Sequence, residues 1–150
     1  MTEKEKILLV EDEDDLARLF ALALEREGFA IRRARDGAAA LDAFRRWSPG
    51  LILLDVVLPG MSGFDFLEQL RQESRVPVIL VSGRRRPADL ELGSRLGADD
   101  YLVKPFALEE LRSRVKRVLS RAEPRARGRA APAAAKSSPA RRRASRSVRR

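Results

Sequence analysis

The sequence predicts an α/β protein whose strands form one open, parallel sheet. Five short apolar runs alternate with segments in which apolar residues recur at the spacing of an amphipathic helix. Such alternation is typical of strand–helix units joined by right-handed crossovers. With 150 residues, the chain has room for one ordinary domain with its own core.

The first three strands are predicted from runs with little polar interruption. Residues 7–10 form the first strand, residues 29–34 a weaker second, and residues 51–54 the third. The third is apolar on both faces, as an internal parallel strand should be. Helical spacing over residues 16–24 predicts the first helix, and Gly28 suits a left-handed position beyond its end.

The remaining elements continue this alternation. Ser62 is the expected N-cap of the third helix, with Asp65 three residues further on. Pro77 lies near the start of the fourth strand, where a missing N–H is tolerable. The other elements are strands at residues 76–81 and 101–103 and helices over residues 37–44, 63–70, 90–96 and 108–119.

The composition removes several classes of chemistry. The chain contains no cysteine and no histidine, which excludes disulfides, a cysteine nucleophile, a Ser-His-Asp triad and an ordinary Cys/His zinc site. It also cannot be a phosphohistidine donor. No apolar segment has the length of a signal peptide or a membrane span. We therefore expect a soluble, cytoplasmic protein.

Charged and hydroxyl side chains follow four of the predicted strands. Glu11 and Asp12 follow the first strand, Asp55 the third, Ser82 the fourth and Lys104 the fifth. The carboxyl ends of parallel strands share one edge of the sheet, which is where open α/β proteins place their functional crevice. Converging carboxylates repel one another and need a cation, and a set of oxygen ligands favours Mg²⁺.

These residues lie in motifs that resemble the receiver domain of response regulators from two-component signalling. The motifs are VED at residues 10–12, Asp55 with LPGMSG after it at 58–63, and GADDYLVKPF at 97–106. They occur in the expected order over roughly residues 6–120, and their joint occurrence is specific. The resemblance implies a three-layer, flavodoxin-like (βα)5 fold with strand order 2-1-3-4-5.

The resemblance also implies the chemistry. It implies a stand-alone response regulator that accepts a phosphoryl group on Asp55 from a sensor histidine kinase or a phosphotransfer protein. Asp12, Asp55 and the backbone carbonyl of Val57 would ligate Mg²⁺, and Glu11 would act through water. The chain would assist its own phosphotransfer and dephosphorylation as a signalling phosphoacceptor rather than as an enzyme.

The resemblance also implies residues that contact the phosphoryl group and residues that change conformation when it is present. Lys104 and Ser82 would contact its oxygens, which agrees with the charge neutralisation that phosphoryl transfer requires. Tyr101 would turn inward as Ser82 moves toward the phosphate, although an aromatic residue at the start of a strand is commonly just packing. The Lys104–Pro105 peptide would be cis. A downstream protein partner would bind through the last two helices and the fifth strand.

The loop after the fourth strand departs from the family pattern. Gly83 stands where alanine is more usual, which predicts a looser loop. Residues 84–86 are consecutive arginines. They are either a solvated loop or a cationic feature that lengthens the lifetime of the phosphate or attracts an acidic partner.

The net charge of +9 is concentrated at the end of the chain. Residues 122–150 hold ten Lys or Arg and one acid, whereas residues 1–121 hold 21 groups of each sign. We therefore predict a receiver domain at residues 1–121 and a disordered Arg/Ala/Pro/Ser-rich tail at residues 122–150. The tail is either a solvated linker or a non-specific binder of nucleic acid or another polyanion.

Two other functions compete with the signalling hypothesis. An aspartyl phosphatase or dehalogenase would place its nucleophile after the first strand, whereas Asp55 follows the third. In the other alternative, a nucleic-acid-binding protein would use the α/β domain merely as a carrier for its basic tail.

Overall fold

The computed structural model describes residues 3–128 and the side chains of residues 3–122. Strands and helices alternate throughout this part of the chain. The strands are β1 (Lys6–Val10), β2 (Ala30–Ala34), β3 (Leu51–Asp55), β4 (Val78–Ser82) and β5 (Asp100–Val103). The helices are α1 (Asp14–Glu25), α2 (Gly37–Trp47), α3 (Gly63–Leu70), α4 (Pro87–Arg95) and α5 (Leu108–Gly128).

Neighbouring strands pair in parallel in the order β2-β1-β3-β4-β5. This confirms the predicted flavodoxin-like α/β fold and its strand order. The register brings the carboxyl ends of the central strands to one level, because Asp55 pairs with Val81 and Ser82 pairs with Val103. Residues that leave these strands therefore meet at one edge of the sheet.

Apolar side chains cover both faces of the sheet. In β1, Ile7 and Leu9 pack in the layer that contains α1 and α5, whereas Leu8 and Val10 pack in the layer that contains α2 and α3. Each fully buried aliphatic side chain stabilises the fold by roughly 1.5–3 kcal/mol. The sheet is thus the middle of three layers, and its strand ends are held by packing on both sides.

Local sequence sets several of the element boundaries. Asp36 accepts a hydrogen bond from the Ala39 N–H at 2.8 Å, and Ser62 accepts one from the Asp65 N–H at 3.1 Å. Each side chain satisfies a donor that the first helical turn leaves free, so Ser62 is the N-cap that the sequence predicted. Gly28 has a φ of 100°, the left-handed conformation expected after α1.

Helix α5 continues past residue 121, where we predicted the end of the domain, and reaches Gly128. Residues 122–128 of the predicted tail are therefore helical. The prediction of disorder for residues 129–150 lies outside the described residues. Among the described helices, none has the length and apolar character needed to cross a membrane.

Candidate functional site

Asp55 is the last residue of β3 and is 6% exposed. Its Oδ1 accepts the Val57 backbone N–H at 2.9 Å, and its Oδ2 accepts Lys104 Nζ at 3.1 Å. The chain then turns back so tightly that a Cβ on Gly63 would lie 2.3 Å from the Asp55 carbonyl oxygen. The Val57 N–H and Lys104 thus each hold one oxygen of the carboxylate, while Gly63 packs against the backbone of the same residue.

Glu11 lies beside Asp55 and is 2% exposed. Its Oε2 accepts the Glu13 N–H at 3.1 Å, and its Oε1 lies 3.5 Å from Lys104 Nζ. Burial, followed by repulsion from Asp55, raises the pKa of Glu11 from 4.5 to about 7. Two buried carboxylates thus lie side by side, with Lys104 Nζ near both of them.

Lys104 follows β5 and brings a cation to these carboxylates. Its backbone N–H donates to the Ser82 carbonyl at 2.8 Å, and the peptide bond to Pro105 is cis, as the resemblance implied. Burial alone would lower the pKa of Lys104, but attraction to Asp55 and Glu11 outweighs it and raises the pKa. Lys104 is therefore charged at neutral pH.

The site provides oxygen ligands suited to a hard divalent cation. One carboxylate oxygen from each of Glu11, Asp12 and Asp55 lies within 4.8 Å of the others. Asp12 is exposed while its two neighbours are buried, so the group opens to water on one side. Mg²⁺ prefers such carboxylate oxygens and keeps several waters. The residues present fit this ion.

The predicted switch residues, Ser82 and Tyr101, both contact the backbone of Arg84. Ser82 is fully buried, and its Oγ accepts the Arg84 N–H at 3.0 Å. The Tyr101 hydroxyl donates to the Arg84 carbonyl at 2.8 Å. The Tyr101 ring lies beside Gly93, where an added Cβ would be 3.2 Å from it, and burial raises the pKa of the phenol.

The arginines at 84–86 are all exposed. Arg85 donates weakly to the Lys104 carbonyl at 3.4 Å, and Arg86 pairs with Asp89 at 3.3 Å. Both readings of this loop, as solvated chain or as a cationic feature near the site, stay predictions.

Comparison with known proteins identifies the family. The family model described as "Response regulator receiver domain" matches residues 7–116. The chain belongs to the response regulator receiver domain family. Receiver domains are signalling domains of two-component systems, so the family supports the signalling hypothesis over the aspartyl hydrolase.

Relatives of this receiver include transcriptional regulators. The sensory transduction protein RegX3 of Mycobacterium tuberculosis is 48% identical over 115 residues, covering 77% of this chain and 51% of RegX3. The transcriptional regulatory protein CseB of Streptomyces avermitilis is 45% identical over 121 residues, covering 81% of this chain and 52% of CseB. The chain thus spans about half the length of these curated relatives.

Solved structures agree with the receiver fold. The receiver domain of Francisella response regulator 1452 has 31% identity and a TM-score of 0.76, covering 79% of this chain and 99% of that one. A CheY-like receiver domain protein of Methanospirillum hungatei has 27% identity and a TM-score of 0.75, covering 81% and 98% of the two chains.

The receiver structure brings together most of the residues singled out in the sequence. Glu11, Asp12, Asp55 and Lys104 lie close together at the carboxyl edge of the sheet. For Val57, the contact in the site is its N–H to Asp55; that its carbonyl binds a metal stays a prediction. The chemical role of each residue likewise stays a prediction.

Sequence reasoning missed two residues that shape this site. Gly63 permits the close approach of α3 to the Asp55 carbonyl, and the motif alone does not show which of its glycines has this task. Arg33, on β2, donates to the Glu11 backbone carbonyl at 2.9 Å. The only signal in the sequence was that Arg33 is a charged residue within a short predicted strand. The neighbouring residues did not indicate that it would bond to Glu11.

Proposed function

We propose that this receiver accepts a phosphoryl group on Asp55 from a histidine kinase or phosphotransfer protein, in a Mg²⁺-dependent reaction. One observation carries the proposal: the Asp55 carboxylate is buried, bonded to Lys104 Nζ at 3.1 Å, and grouped with the carboxylates of Glu11 and Asp12. A carboxylate in such a place is costly unless it serves binding or chemistry.

The transfer needs little beyond positioning and charge neutralisation. One Asp55 oxygen forms the new P–O bond while the P–N bond of the donor phosphohistidine breaks, and the imidazole nitrogen keeps that electron pair and is protonated. The Val57 N–H and Lys104 fix the direction of the carboxylate. Lys104 and the Ser82 hydroxyl would contact the phosphoryl oxygens.

The metal would be held by Asp12, Asp55 and the Val57 carbonyl, with Glu11 acting through water. Bound there, Mg²⁺ would supply positive charge that offsets the charge of the phosphoryl oxygens. The grouping of one carboxylate oxygen from each of Glu11, Asp12 and Asp55 within 4.8 Å supports this assignment, because a divalent cation would relieve their mutual repulsion.

The output of the reaction is a change in partner binding. When the Ser82 hydroxyl turns to the phosphoryl group, it releases the Arg84 N–H that it now accepts, and Tyr101 is bonded to the same residue through the Arg84 carbonyl. Movement of this loop would therefore reach Tyr101 and the surface of α4, β5 and α5, where a downstream protein binds.

Intact-protein mass spectrometry tests the proposal. After incubation with Mg²⁺ and acetyl phosphate, wild type gains one phosphoryl group, whereas Asp55→Asn gains none and EDTA suppresses the gain. Asp65→Asn, an exposed acid on α3, is the matched control and should behave as wild type. Equal phosphorylation of Asp55→Asn, or no phosphorylation of wild type, would refute the proposal.

We propose a second, independent function for the basic tail: non-specific binding of nucleic acid. The observation is the separation of charge, since residues 122–150 carry ten cations and one acid. Many cations of the domain form ion pairs with acids, as Lys116 does with Glu27 and Arg114 with Asp100. The excess cations of the tail can instead release counterions from a phosphate backbone.

Fluorescence anisotropy with duplex DNA over a salt series tests the tail. The full chain should bind at low salt, with an affinity that falls steeply as salt rises. Replacing residues 141–143 by glutamine should weaken binding and flatten the salt slope by about one for each lost phosphate contact. Glutamine at residues 84–86 removes the same charge from the domain and should have a smaller effect. Absence of binding at low salt would leave the tail as a solvated linker.

A further inference from the structure

Arg33 fastens the loop that carries the proposed metal ligands. Its Nε donates to the Glu11 backbone carbonyl at 2.9 Å, and its NH1 group donates to Asp14 Oδ1 at 2.7 Å. The side chain reaches this loop from β2 and is 26% exposed. Arg33 therefore bonds to the loop both before and after Asp12, at Glu11 and at Asp14.

The bond to Glu11 fixes the peptide group between Glu11 and Asp12. Because a peptide group is planar, holding its carbonyl oxygen also sets the position of the Asp12 N–H and Cα. Asp12 is exposed, so packing does little to orient its side chain. The second bond, to Asp14, holds the first residue of α1 against the same guanidinium.

We propose that Arg33 is a positioning residue for Mg²⁺ binding: by holding the Glu11–Asp12 peptide and the start of α1, it presents the Asp12 carboxylate to the metal. The inference rests on the proposed function, because it concerns the same site. Groups that orient metal ligands without touching the metal commonly change metal affinity by roughly 10–100-fold.

The remaining amino group of Arg33 argues against a purely stabilising role. Its NH2 nitrogen is buried and has no hydrogen-bond partner among the described residues. A buried donor without a partner opposes folding, so this nitrogen does not explain why an arginine stands at this position. The two hydrogen bonds of Arg33, to Glu11 and Asp14, instead hold the Glu11–Asp12 peptide and the first residue of α1 in place.

Arg35 provides a matched control on the same side of the site. Its NH1 group also bonds Asp14 Oδ1, at 2.5 Å, but its side chain is 60% exposed. In the described part of the chain, the Glu11 carbonyl is bonded by Arg33 and not by Arg35. A variant of Arg35 therefore removes a cation near Asp14 while leaving the Glu11–Asp12 peptide held.

Positioning and simple electrostatics predict opposite signs. Removing a cation near a group of carboxylates increases their attraction for Mg²⁺, so charge alone predicts tighter binding by Arg33→Ala. If Arg33 orients Asp12, the same substitution weakens binding. Arg33→Lys separates the two effects further, because it keeps the charge but replaces the rigid, forked guanidinium by a single ammonium.

Isothermal titration calorimetry of the full chain with MgCl₂, at fixed pH and ionic strength, decides between them. Arg33→Ala should raise the Kd for Mg²⁺ by about tenfold or more. Arg33→Lys should also raise the Kd, and Arg35→Ala should stay near wild type. Circular dichroism checks the fold, and if Arg33→Ala does not fold, Arg33→Lys decides.

Each outcome of the titration has one meaning. Wild-type binding with unchanged or tighter binding by Arg33→Ala would overturn the inference and leave the proposed function intact, as would a Kd for Arg33→Lys equal to wild type. An equal loss of affinity in Arg35→Ala would overturn it too. If wild type binds no Mg²⁺, the proposed function fails and the inference fails with it.

Discussion

The two ends of the sheet handle charge in different ways. At the amino ends of β4 and β5, Asp99 Oδ2 accepts the Val78 N–H at 2.8 Å and lies 3.4 Å from Arg71 NH2. Arg71 also donates to the carbonyls of Gly97 and Val76, each at 2.8 Å. In this pair, which we call the amino-edge network, opposite charges and backbone groups satisfy one another.

At the carboxyl ends, the carboxylates of Glu11, Asp12 and Asp55 lie close together, and Lys104 Nζ contacts Glu11 and Asp55. The pKa of Glu11 rises to about 7, chiefly through burial and the neighbouring Asp55. The comparison separates an ion pair whose groups are satisfied within the chain from a group of carboxylates that we propose binds a metal ion.

The largest expected effect comes from removing the cation at each end. Arg71→Met should lower the free energy of unfolding by about 4 kcal/mol, because it removes a partly buried cation that pairs with Asp99 and donates to the Gly97 and Val76 carbonyls. Lys104→Met should instead slow phosphorylation of Asp55 by about a hundredfold, as loss of one donor to developing charge does. Urea denaturation and acetyl phosphate kinetics on both variants provide the measurements.

The contrast between these variants would be broken in either of two ways. If the Arg71→Met variant folds but Asp55 is no longer phosphorylated, the amino-edge network takes part in the chemistry. If Asp55 is phosphorylated at the wild-type rate in the Lys104→Met variant, Lys104 has no role in phosphoryl transfer.

The pH dependence of stability should also distinguish the ends. Between pH 4.5 and about 7, unfolded Glu11 has lost its proton while folded Glu11 keeps it. The folded state then binds more protons, so the free energy of unfolding falls as pH rises, by on the order of 3 kcal/mol at most. Urea denaturation in EDTA should show this fall, and Glu11→Gln should flatten it. If the wild type and Glu11→Gln show the same dependence of the free energy of unfolding on pH, the pKa of Glu11 is not raised in the folded state.

A smaller effect is expected from two glycines next to the site. A Cβ on Gly63 would lie 2.3 Å from the Asp55 carbonyl oxygen, whereas nothing lies within 4 Å of one on Gly83. Gly63→Ala should therefore destabilise the fold by about 2 kcal/mol. Gly83→Ala should leave stability unchanged or raise it by up to about 1 kcal/mol. Thermal denaturation of both variants tests the pair, and equal effects would show that the backbone at Gly63 relaxes freely.

The sequence was sufficient for the sheet and for the core of the site. Strand-ending residues such as Asp55 and Lys104 could be predicted to meet, because parallel strands share one edge. Arg33 and Arg71 could not be assigned, since their carboxylate partners lie 19 and 28 residues away and depend on how side chains pack across elements. The length of α5 was also underpredicted, because its last turns resemble the tail in composition.

The most direct test of the account is to locate the phosphoryl group within the chain. Protein treated with Mg²⁺ and acetyl phosphate would be reduced with borohydride, which converts an aspartyl phosphate to homoserine, and then mapped by peptide mass spectrometry. We predict that homoserine appears at residue 55 and depends on Mg²⁺. Modification at Glu11 or Asp12 instead, or at residue 55 to the same extent in EDTA, would contradict the account.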